Sequence, residues 1–287
     1  MNKTNLEKRK TWERWFKLLC KAFTWMSLLI LLTLLIHVSL EGISRVSIDF
    51  LDSYPSRFAY KAGLKSALWG SIWLMGLVFL ISVPIGVSSA IYLEEYESKG
   101  WLSRLIEVNI SNLAGVPSVV YGILGLAIFV RFFGLDRSLL AGSLTMSLLI
   151  LPVIIISSRE ALRAIPQSIR FGSLALGATT WQTIWHHVLP PAIPGILTGV
   201  ILAMSRAIGE TAPLIMIGAL TYVAFLPETP MDPFTTLPIQ IFNWASRPQE
   251  AFQEVAAAGI IVLLVVLLIM NTAAVIIRHN TQKKVNW

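Results

Sequence analysis

Charge is what this sequence has least of. Only 14% of its 287 residues are Asp, Glu, Lys or Arg, whereas soluble domains run near a quarter, and that scarcity excludes an ordinary water-facing surface. Cysteine is nearly missing as well. A lone Cys20, with four histidines (His37, His186, His187, His279) of which only two are adjacent, excludes a disulfide framework and a Cys/His metal centre. No Gly-x-x-x-x-Gly-Lys-Ser/Thr loop occurs, so the chain does not bind ATP by that route. No nucleophile, base and orienting group fall together at buried positions, which argues against a membrane-embedded hydrolase. Neither a metal nor a cofactor is expected. There is also no clear internal repeat, so any two-fold transporter architecture requires a second subunit.

What is present is apolar sequence in long blocks. Hydrophobic residues make up 55% of the chain and the mean hydropathy is +0.69. Six blocks, residues 22–40, 67–93, 110–130, 138–157, 195–222 and 255–277, approach or exceed the roughly 20 residues that cross a bilayer. The fold class expected is an all-α integral membrane protein of about six transmembrane helices. It divides into a basic N-terminus 1–21, a membrane domain 22–278 and a tail 279–287. Block 22–40 is longer than a signal-peptide core and lacks an Ala-x-Ala-like cleavage site, so it stays as a helix. Pro84, Pro117, Pro152 and Pro213 fall inside blocks and predict kinked, closely packed helices.

The net charge of +7 is a topology signal, not a sign of nucleic-acid binding, because seven of the 23 basic residues precede the first block. That N-terminus also holds Trp12, Trp15 and Phe16, which suits an interfacial helix on an anionic membrane; a disordered basic tail is the alternative. With Arg159, Arg163 and Arg170 in the loop 159–190 and Arg278, Lys283 and Lys284 at the end, six spans place both termini and this loop in the cytoplasm. Against that stand an acid-rich loop 94–109 on the same side and four basic residues in the opposite loop 41–66. The apolar run from Leu237 to Trp244 is too short to span, and reads either as re-entrant or interfacial, or as a covered loop.

Within loop 159–190, Pro166 opens a helix, Ile169, Leu174 and Leu176 give it an apolar face, and Gly177 closes it. A second helix, 181–187, starts after Thr179 and Thr180 and stops at Pro190. Two short helices joined at a glycine make a knob that fits a groove on another protein, or simply a connecting loop. In the fifth block, Arg206 and Glu210 stand four residues apart on one helical face. A lone charge there costs about 2.5–3.5 kcal/mol on insertion scales, so both face the protein interior or water. Arg206 offers an oxyanion a planar fork, with Glu210 as its counter-ion; the plainer reading is a brace between helices. Ser118, Tyr121 and Thr211 are further candidates for a path. Gly115 and Gly122 read as packing positions, and Gly195-x-x-x-Gly199 suits a partner helix.

Gly177, Leu189 and Pro190 stand at the spacing of the EAA motif of ABC-importer permeases. Over its whole length the chain resembles the PstA-type permease family of bacterial phosphate importers, through Asn112 to Gly122, Ser205 to Leu214 and Asn243 to Pro248. The resemblance implies that Phe171, Gly172, Ser173, Gly177, Ala178, Leu189 and Pro190 contact an ATPase. It also implies an inner-membrane location and phosphate as cargo. The implied partners are a second homologous permease (PstC-type), two ATPase subunits (PstB-type) that use ATP and magnesium, and a periplasmic phosphate-binding protein (PstS-type). Phe171-Gly172-Ser173 replaces the usual Glu-Ala-Ala, and His187 an isoleucine. Phe171 thus offers an apolar anchor where the family carries a charge. A permease for another oxyanion and an ion-gradient-driven carrier are the alternatives.

Overall fold

The computed structural model describes residues 3–97, 100–219 and 222–283, and among them the only extended pairing is an isolated bridge between Ser138 and Pro233. In lipid every backbone N–H and C=O must be satisfied internally, and a helix does so within one segment. The first helix, α1 (Lys3–Gly42), is unbroken over 40 residues. At about 1.5 Å per residue it reaches about 60 Å, twice the hydrocarbon thickness of about 30 Å. The basic, aromatic start therefore continues the first span instead of forming a separate interfacial helix.

A short α2 (Ile48–Asp52), capped by Ser47 Oγ accepting from Phe50 N, precedes α3 (Lys65–Ile91), which widens into a π-helical turn at Tyr92–Tyr96. Then come α4 (Trp101–Ala114) and α5 (Ser118–Gly125), the latter continuing through a π-helical stretch to Phe132. α6 (Leu139–Arg163) is followed by α7 (Gln167–Ala175), α8 (Thr180–Thr183), α9 (Leu189–Gly209) and α10 (Ala212–Ile217). The last two are α11 (Leu237–Ala245) and α12 (Glu250–Lys283), so the tail expected from residue 279 is helical as far as it is described.

Among the described residues, five helical runs are long and apolar enough to cross a membrane, or six if one bent pair counts as a span. That pair is the expected third span, 110–130. Its halves meet at 101°, because Gly115 ends α4 and Pro117, extended at φ −56° and ψ 138°, forces the preceding residue out of the helical region. Pro84 and Pro152 stay inside α3 and α6, whereas Pro213 opens α10. The fifth expected span is also divided, since α9 stops at Gly209 and α10 is only six residues long.

α3, α6 and α9 form the centre, with Leu74, Val78, Ile150, Ile154 and Val200 buried among them. Small residues let these backbones approach. A Cβ on Gly86 would lie 2.6 Å from Ile154 Cγ2, one on Gly195 2.7 Å from Ala161 Cβ, and one on Gly199 would overlap Ser157 Oγ. The helix that the Gly195/Gly199 pair meets is α6 of the same chain. Gly122 likewise packs on Pro213 and Met216 of α10, while Gly115 meets only Asn112 O of its own turn.

At one end of the bundle Arg159 and Arg163 meet Glu94 and Glu107. At the other, Arg45 pairs with Glu254 at 2.9 Å and Leu139 N donates to Asp232 O at 2.9 Å. Gly42 touches Ala257 near the start of α12, and α12 runs antiparallel to α9, with Asn271 on Ser205 and Arg278 donating to Thr198 midway along α9. The start of α1 and the end of α12 therefore point toward the side of the 159–190 loop. α11 is a covered segment: Leu237, Ile239 and Trp244 are fully buried against α3 and α12, and Leu237 N donates to Ser71 Oγ.

Candidate functional site

Two places carry the polar chemistry, the break after α9 and the knob made by α7 and α8. α9 ends because Gly209 is a poor helix former and Glu210 turns extended, at φ −77° and ψ 122°. Arg206 lies in the last turn, where the negative end of the helix dipole favours a cation. Its Nε donates to Glu210 Oε1 at 3.2 Å. Its Nη1 and Nη2 have no partner among the described residues. The guanidinium side chain is 49% exposed and the carboxylate only 19%, so the acid is sheltered and the free edge of the fork faces outward. The two charges therefore do not share one continuous helical face, as their spacing predicts, but bridge a helix end.

Tyr121 is buried, and its hydroxyl donates to Leu113 O at 2.8 Å. That bond ties α5 to α4 across the 101° bend. Ser118 follows Pro117 at the start of α5, half-buried, and its hydroxyl makes no bond among the described residues. Thr211, also half-buried, sits between Glu210 and α10. One polar contact had no signal in charge counting: Ser205 Oγ hydrogen-bonds Asn271 Oδ1, joining α9 to α12 beside Arg206.

The knob has the expected punctuation. Pro166 precedes α7, and Gly177 adopts φ +86°, a left-handed conformation that L side chains avoid. Thr179 caps α8 through a capping box with Gln182. Ala178 N donates to Ser173 O at 3.2 Å, and Ser173 Oγ lies 3.0 Å from Thr183 Oγ1, locking α7 onto α8. Phe171 and Leu174 of α7 and Leu176 just after it point outward, Phe171 66% and Leu176 90% exposed, whereas Ile169 is half-buried. Trp181 and Trp185 stack beside them with ring centroids 5.5 Å apart, both exposed. Gly172 has open space around it.

The second helix does not stop at Pro190. α8 passes through a π-helical turn, Ile184–Val188, into α9, giving one helical run from Thr180 to Gly209. Leu189 starts α9 and Pro190 sits in its first turn, directly after the π-helical turn. Four residues of the knob's second half and Arg206 therefore ride on the same rod. Charge pairing beneath the knob was the part not anticipated. The three loop arginines and the acid-rich segment were each visible, but their pairing across 69 and 75 positions was not.

Residues 82–283 match the family described as binding-protein-dependent transport system inner membrane component. The chain belongs to that family. The permease is 33% identical to a probable ABC transporter permease of Bacillus subtilis over 215 residues, covering 75% of this chain and 73% of the other. It is 35% identical to the phosphate transport system permease PstA 1 of Mycobacterium tuberculosis strain H37Rv, covering 69% of this chain and 63% of that one. With the PstA of Haemophilus influenzae it shares 31% identity, over 90% of this chain and 92% of the relative. Among solved structures, an alginate ABC transporter superposes with a TM-score of 0.68 at 17% identity, covering 93% and 94% of the two chains. The inward-facing MetNI methionine transporter gives 0.60 at 18%, over 76% and 94%. Those two likenesses speak to fold alone. The permease is a multi-pass membrane protein with the architecture of importer transmembrane subunits.

Proposed function

We propose that the permease carries inorganic phosphate inward across the bacterial cytoplasmic membrane, driven by ATP hydrolysis on separate subunits. The observation that carries the site is the half-exposed Arg206 with two unpartnered nitrogens at the end of α9. A guanidinium edge with parallel N–H donors matches two oxygens of a tetrahedral oxyanion. The relatives named as phosphate permeases supply the cargo. An exposed arginine in lipid is costly, so the face around Arg206 meets water or a second, homologous permease. Ser118 and Thr211 flank the passage, and Glu210 balances Arg206 when no anion is bound.

The outward apolar face of α7 supports docking of an ATPase there. Phe171 supplies the anchor in place of the usual acidic residue, with Gly172, Ser173, Gly177 and Ala178 shaping the knob. The helical run Thr180–Gly209 links that contact to Arg206, so a push on the knob moves the guanidinium. Both termini and the knob then lie in the cytoplasm, and a periplasmic phosphate-binding protein delivers substrate at the opposite end. ATP and magnesium belong to the ATPase subunits. The test is phosphate uptake by membrane vesicles with ATP present, with ATP depleted, and with the proton gradient collapsed. ATP dependence is expected; uptake that survives ATP depletion and dies with the gradient overturns the importer reading.

A further inference from the structure

The face of α7 turned away from solvent is polar, and one side chain dominates it. Arg170 is buried, as is Glu95 in the π-helical turn that ends α3. Arg170 Nε donates to both Glu95 oxygens, at 3.1 and 3.0 Å, and Nη2 donates to Oε1 at 2.6 Å. The same guanidinium donates through Nη1 to Ile165 O at 2.7 Å and through Nη2 to Leu162 O at 3.0 Å. Leu162 lies in the last turn of α6, where its carbonyl also accepts from Ile165 N, and Ile165 follows just beyond the helix end. One planar cation therefore joins α7, the end of α3 and the end of α6.

The covalent link between α6 and α7 is short and bends at Pro166, whose extended ψ of 138° ends helical continuity. Besides Arg170, α7 is held by its packing on α8 and on the π-helical turn Ile184–Val188, with Ser173 on Thr183, and these belong to the same helical run as α9. Apolar contacts on its outer face slide easily, whereas a multidentate, desolvated ion pair is directional and resists rotation. We propose that Arg170 and Glu95 form the strut that transmits movement of the docked knob to α3 and α6. They are positioning residues for coupling, and the proposal rests on α7 being the ATPase contact.

The test uses the whole complex of permeases and ATPase subunits in proteoliposomes with the binding protein, reading phosphate moved per ATP hydrolysed. Glu95→Gln removes the charge and keeps the shape. Its ATPase is expected to co-purify and hydrolyse ATP at near the normal rate, while phosphate moved per ATP falls about tenfold, within the 5–150-fold range of typical coupling energies. Glu95→Asp, which keeps the carboxylate, restores most of that ratio. An unchanged ratio in Glu95→Gln overturns the strut. So does an equal loss in Glu95→Gln and Glu95→Asp, or loss of co-purification in both, because a merely structural pair behaves that way. Phe171→Asp tests docking separately: if the ATPase still co-purifies with it at the normal level, the contact reading fails whatever the Glu95 variants do.

Discussion

Arg206 and Glu210 meet across the end of a helix, 3.2 Å apart between Nε and Oε1, with the arginine turned outward and the acid sheltered. The backbone between them changes from helical to extended. Their separation is therefore adjustable by rotation at Gly209 and Glu210, which a mid-helix pair does not allow. Arg206→Gln is expected to abolish phosphate uptake while the complex assembles normally, since the side chain braces no buried group. Uptake at the normal rate takes Arg206 off the path. Glu210→Gln is expected to keep assembly and shift the phosphate concentration for half-maximal uptake; no shift removes Glu210 from the balance.

Gly177 has a positive φ of 86° but nothing within 4 Å of where a Cβ would stand. Its requirement is conformational, not steric. A left-handed conformation costs an ordinary L residue about 1–2 kcal/mol, and a β-branched residue more. Gly177→Val is thus expected to distort the knob and lower ATPase co-purification, whereas Gly177→Asn, which visits that conformation readily, stays near normal. Pull-down of the ATPase subunits by the tagged permease measures both, and equal behaviour of the two variants contradicts the argument.

Gly199 meets Ser157 and Gly76 meets nothing. Gly199→Leu is expected to separate α9 from α6 and destabilise the protein by about 1–3 kcal/mol or more. Gly76→Ala is expected to be neutral or to stabilise by about 0.5–1 kcal/mol through helix propensity. Thermal unfolding of the detergent-solubilised protein compares them.

Asp232 organises the loop that precedes α11. The N–H and hydroxyl of Thr229, with the N–H of Glu228, hold its carboxyl below the usual carboxylate range. The carbonyls of Asp232 and Pro230 accept from Leu139 and Leu140 at the start of α6. Because the folded pKa is depressed, this contribution is present above the ordinary aspartate value of about 3.9 and fades as pH falls through the lower folded value. Asp232→Asn is expected to speed amide exchange at Leu139 and Leu140 at neutral pH. Exchange identical to that of the unaltered protein refutes it.

The sequence by itself determined what is local. Apolar blocks of spanning length made the chain an all-helical membrane protein, and Pro166, Gly177 and Thr179 marked the knob, because φ preferences and capping are set by a residue and its near neighbours. Its motifs also placed Arg206 beside Glu210. Tertiary structure decided what depends on distant partners. It placed the loop arginines on the acid-rich segment 69 and 75 positions away, set Gly199 on Ser157 and buried Trp244. It also decided which prolines merely sit in a helix and which break one. Pro117 bends the chain by 101° while Pro152 does not, since whether a freed backbone group finds another partner is a property of the neighbouring helices. The charges of the fifth block met at a helix break, with both Nη atoms of Arg206 left open among the described residues.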